Sequence, residues 1–91
     1  MIVSENLLLG NILDALDRLF DGETSVIDLQ ALLLATAEAL RETPHHGMLE
    51  GPAADLLSIV RSGTDMEKQR DQALNATVQL RFYLADLLPI E

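Results

Sequence analysis

The chain has 91 residues, 15 acidic and six basic, for a net charge of -9, and it contains no Cys and no Trp. That length makes one domain, residues 1–91, which buries only about 60–65% of its unfolded surface, so the core is modest and has no disulfide or thiolate-metal staple to support it. The acidic excess disfavours nucleic acid and anionic membranes, whose affinity for proteins comes from Lys and Arg, and favours a cationic protein partner.

The N-terminus, Met1-Ile2-Val3-Ser4-Glu5-Asn6, lacks the basic start of a signal peptide, and no apolar run approaches the ~20 residues of a membrane span. These features point to a soluble, cytoplasmic protein.

The first predicted helix covers about 4–20. At 100° per residue Leu8, Leu9, Ile12, Leu13, Leu16, Leu19 and Phe20 share one broad face, while Asp14, Asp17 and Asp21 share the opposite one. Arg18 follows Asp14 by four residues, a favourable pairing distance. Asp21-Gly22-Glu23 breaks the helix, with Gly22 suited to a left-handed cap.

The second helix covers about 25–41. Ser25 is a natural N-cap with Asp28 three residues on, and Thr24 competes for that role. Leu29, Leu32, Leu33, Thr36 and Leu40 form the main buried face, and several alanines permit close helix approach. Thr43-Pro44-His45-His46-Gly47 reads as a loop, because Pro44 turns Thr43 away from helix. Met48 and Leu49 can add one turn. Gly51-Pro52 marks a further break, so the third helix is short, about 52–62, burying Ala53, Leu56, Leu57 and Val60 and ending at Gly63.

The fourth helix opens on a Thr64-x-x-Glu67 capping box and runs over about 65–88, to a stop at Pro89. Met66, Ala73, Thr77, Leu80, Leu84 and Leu87 form a seam near 3.5-residue spacing. No segment alternates with period two. The fold expected is all-α, a small irregular antiparallel four-helix bundle.

Two helices carry apolar residues on a second face: Ile27 and Leu34 on the second helix, and Val78 and Phe82 on the fourth. Either these helices are central and packed on both sides, or the stripes meet another subunit or partner. Phe82 is the preferred anchor, since aromatic residues commonly dominate interface energetics. Asp14, Asp17, Asp21, Glu23 and Asp28 crowd the first helix and first turn, where a cationic partner would relieve their repulsion; a solvated face is the commoner meaning of such a run.

Little here suggests bond-making chemistry. His45 and His46 are adjacent in a loop with no metal-ligand spacing, so neither a metal nor another cofactor is expected, and no catalytic residues are assigned. A phosphotransfer domain would carry its His on a helix in an H-x-L-K-G pattern, which His46-Gly47-Met48-Leu49-Glu50 lacks. An acyl carrier would present a Ser in D-S-L; Thr24-Ser25-Val26 departs at both flanking positions, and Ser25 is better explained as a cap.

A small, acidic, Cys-free helical chain of this kind resembles in type the immunity proteins of bacterial toxin and interbacterial competition systems, with Leu19-Phe20-Asp21-Gly22-Glu23-Thr24-Ser25-Val26-Ile27-Asp28-Leu29 and Leu80-Arg81-Phe82-Tyr83-Leu84-Ala85 carrying that character. The resemblance implies a non-enzymatic, protein-binding role: occlusion of a cognate toxin with a cationic surface. A homodimeric helical adaptor, using the same apolar stripes on a second copy, is the alternative.

Overall fold

Leucine at helical spacing produces helices and nothing else. The structure, a computed structural model, describes residues 5–88. Those residues form α1 (Glu5–Phe20), α2 (Val26–Ala39), α3 (His46–Arg61), α4 (Met66–Ala76) and α5 (Val78–Leu87). The Cα radius of gyration, 12.7 Å, is close to the ~12 Å of a single domain of this length. The expected helix start at Ser4 and the stop at Pro89 lie outside the described residues.

The all-α expectation holds, but the four-helix count does not, for two local reasons. The segment expected as one helix over 65–88 is divided at Thr77, where φ is -107° and ψ is 7°. The Thr77 hydroxyl bonds back to the Ala73 carbonyl at 2.8 Å, the same oxygen that accepts the Thr77 N–H at 3.0 Å. Back-bonding of this kind bends helices. Only the middle of the expected seam is buried, at Ala73, Thr77, Leu80 and Leu84; Met66 and Leu87, at its ends, are exposed.

The third helix begins at His46 rather than Pro52 and contains Pro52 within it. Thr43 closes the preceding loop tightly. Its hydroxyl donates to the Leu40 carbonyl at 2.8 Å and accepts the His45 N–H at 3.2 Å. Leu49, fully buried in the first turns of α3, rewards early helix formation. Its burial, worth about 1.5–3 kcal/mol, works against the penalty of about 3 kcal/mol for proline in a helix interior.

The turn after α1 is set by Gly22. Its φ is +77°, a left-handed conformation that is expensive for other residues. Its N–H bonds to the Leu19 carbonyl at 3.1 Å, and the Glu23 N–H reaches back to the Arg18 carbonyl at 2.7 Å. This pair of bonds is the Schellman termination. Ser25 then caps α2, its Oγ accepting the Asp28 N–H at 3.2 Å. In α4 the cap is Asp65, which accepts the Lys68 N–H at 2.9 Å, one residue later than the Thr64 box implied.

The core joins Leu9, Ile12, Leu16 and Leu19 of α1 to Leu29 and Leu33 of α2, Leu49 and Leu56 of α3, and Leu80 and Leu84 of α5. The packing of α2 on α3 is the most extensive helix–helix interface. Phe20, expected on the buried face of α1, is 68% exposed. It is the last residue of that helix and lies at the edge of the stripe, where no neighbour covers it.

Leu33 and its neighbour Leu34 differ sharply: Leu33 is 0% exposed and Leu34 55%. Leu33→Ala is expected to lower stability by about 2–5 kcal/mol and Leu34→Ala by less than about 0.5 kcal/mol in urea unfolding. Equal losses at the two positions would contradict this orientation of α2.

Candidate protein-interaction surface

α2 carries apolar residues on two faces, a pattern that suits a helix packed on both sides. Here it is packed on one. Val26, Leu29, Leu33, Thr36 and Ala37 face inward, whereas Ile27 is 57% exposed and Ala31, Leu34 and Ala35 are also open to solvent. A central, doubly packed α2 is therefore ruled out. No other described element covers the stripe.

The helix's own charge has one sign. Between Val26 and Ala39 the helix has no Lys or Arg, and its two charged residues are Asp28 and Glu38. They lie toward opposite ends of the face, about 15 Å apart at the helical rise per residue. Arg41, just beyond, is held by Glu38.

At its N-terminal end the face continues into an open groove of about 440 Å³, lined by Leu19, Val26, Ile27, Val60 and Met66 with Glu67 and Arg70. Met66, on the first turn of α4, is 75% exposed. The Arg70 guanidinium lies over the first turn, so close that a Cβ on Gly22 would be 3.0 Å from its Nη1. That turn is flanked by Asp21 and Glu23, and Arg70 offsets part of their charge.

The candidate residues do not form one site. Ile27 and Leu34 belong to α2, and Val78 and Phe82 to α5; among the described residues these two helices do not pack on each other. Asp14, Asp17, Asp21, Glu23 and Asp28 are all exposed. Asp17 is paired, its Oδ1 accepting from Arg81 Nη1 at 2.7 Å. Asp14 and Arg18, spaced to pair, make no ion pair among the described residues. The exposure of Phe20 and Met66 was missed, because periodicity assigns a face but not where the neighbouring helix ends.

The histidines do more than decorate a loop. His45 Nδ1 is 2.7 Å from the Tyr83 hydroxyl, and its Nε2 is 3.4 Å from Glu5 Oε1. With the proton on Nε2, Tyr83 donates to Nδ1 and the ring N–H faces the carboxylate, so one side chain ties the loop to α1 and α5. No sequence signal brings Tyr83 to His45, since they are 38 residues apart. His46 faces two acceptors: Nδ1 lies 2.9 Å from the Ala37 carbonyl and Nε2 3.0 Å from Glu50 Oε2. Only the imidazolium donates to both.

No family model, curated protein or solved structure matches this chain. No helix among the described residues is long and apolar enough to cross a membrane, and among those residues no group of three or more His, Asp or Glu is placed to hold a metal ion.

The Ala37 carbonyl, with Glu50 and Glu38, holds the His46 pKa above its ordinary 6.5 despite opposition from desolvation. A histidine raised in the folded state contributes stability that is complete below the unfolded value and is lost as pH rises through the folded one. The Tm difference between the wild type and His46→Gln should therefore shrink between about pH 6 and pH 8. A difference independent of pH across that range would show that His46 carries no linked proton.

Proposed function

We propose that this chain is a non-catalytic protein-binding module that neutralises a cationic partner by covering it, in the manner of the bacterial immunity proteins it resembles in type. The observation that carries this reading is the open face of α2, where Ile27 and Leu34 are exposed on a helix whose two charged residues, Asp28 and Glu38, are both acidic. Leaving large apolar side chains in water forgoes about 1.5–3 kcal/mol each, which a partner surface recovers.

The partner's chemistry follows from that face. It would bring apolar side chains to Ile27 and Leu34 and a Lys or Arg to Asp28. Asp14, Asp17, Asp21, Glu23 and Asp28, with the net charge of -9, would steer its approach. The groove between Ile27 and Met66 would take one side chain of the partner. Inhibition would be steric and electrostatic, in the cytoplasm, with no cofactor and no turnover. Nucleic acid and membrane are not partners in this reading.

Co-expression with the product of the neighbouring gene, followed by size exclusion and a growth assay, tests it. The expected result is a stoichiometric complex and restored growth, with Leu34→Asp weakening binding at least about tenfold. Separate elution together with no rescue of growth would contradict the proposal.

A further inference from the structure

α4 is the least anchored helix of the fold. Seven of its eleven residues are polar, and Ala73 is the only one buried. Leu74 is half-buried at the edge of the core, and Met66 is open to solvent. The other buried apolar side chains come from α1, α2, α3 and α5, with Leu40 just beyond α2. Among the described residues no side-chain hydrogen bond or ion pair joins α4 to α1, α2 or α3. Its polar contacts are local: Asp65 accepts the Lys68 N–H, and the Gln69 amide donates to the Thr64 carbonyl at 2.8 Å. The Arg70 guanidinium rests over the Gly22 turn without closing an ion pair there.

Both ends of α4 are joints. Gly63 has φ +75°, and a Cβ added there would meet nothing within 4 Å, so no packing holds the chain as it leaves α3. At the other end the helix is divided at Thr77, and the bonds from Thr77 to the Ala73 carbonyl are what the segment must give up there. Release of the segment between these joints removes one small side chain, Ala73, from the buried core. A free helix of 11 residues is too short to persist in water, so leaving the body and melting are one event. Segments that surrender few apolar contacts open at a lower free energy than the whole fold.

The position of α4 gives such opening a consequence. Met66, Gln69 and Arg70 form one wall of the groove whose floor includes Leu19, Val26 and Val60. Leu19 and Val26 are buried while that wall stands. Without it they join Ile27 in a single apolar cleft, continuous with the open face of α2.

We propose that α4 is a detachable strap, which melts between Gly63 and Thr77 while α1, α2, α3 and α5 stay folded, and so uncovers Leu19, Val26 and Val60 beside Ile27. The strap needs no partner and is tested on the chain alone, so it and the partner-binding reading can fail separately.

The core offers matched probes. Ala37 of α2, Ala53 of α3 and Ala73 of α4 are all buried, at 2%, 3% and 0% exposure, and the chain has no cysteine. In native buffer the thiol of Ala73→Cys, normalised to its rate in strong urea, should react at least about tenfold faster than those of Ala37→Cys and Ala53→Cys. Its rate should also rise less steeply with added urea, because a smaller surface is exposed in the opening. Equal rates at the three positions, or one urea dependence shared by all, would overturn the strap. If Ala73→Cys fails to fold by circular dichroism, amide hydrogen exchange of the wild type provides the second readout. The amides of Arg70–Ala76 should then exchange together, ahead of those in the middle of α2 and α3. Protection in α4 equal to that in α2 would overturn the proposal.

Discussion

The packing of α2 on α3 is the contact on which the other elements depend. Leu29 and Leu33 from one helix, and Leu49, Ala53 and Leu56 from the other, are buried in one cluster with the leucines of α1 and α5. In a chain without disulfides this burial is the principal source of stability, at about 1.5–3 kcal/mol per large side chain. It also orients α2: once Leu29, Leu33 and Ala37 point inward, Ile27 and Leu34 point outward. The open face follows from the core, because α2 carries apolar residues on two faces and the fold buries only one of them.

Two apolar surfaces are left uncovered, one on α2 and one on α5. Both have exposed apolar side chains, and exposure alone says little about what covers them. On α2 the nearby acids are Asp28 and Glu38, and Glu38 is paired with Arg41. On α5 Arg81 is paired with Asp17 of α1.

The parts legible in sequence are those determined locally. Ser25 and Gly22 act through hydrogen bonds within a few residues, so the α2 cap and the α1 termination were readable directly. The leucine stripes gave the helices and most of the core. The start of α3 was not readable: Pro44, Gly47, Gly51 and Pro52 are all helix breakers locally, and they are overridden by the burial of Leu49 and by the bonds of His46 to Ala37 and Glu50. The break at Thr77 was hidden because the seam continues through it. The second stripes on α2 and α5 were visible, but their exposure depended on how many neighbours each helix acquired, which is a property of the assembled fold. The Glu5–His45–Tyr83 array, drawn from three distant segments, had no local signature.

The central claim is that α2 buries Leu33 and leaves Leu34 uncovered. Since the chain contains no cysteine, single thiols report on this without background. In the folded protein Leu34→Cys should react with a soluble disulfide reagent nearly as fast as in urea, while Leu33→Cys should be slowed by orders of magnitude, to the rate of unfolding or local opening. Equal protection at both positions in the folded protein would contradict the account.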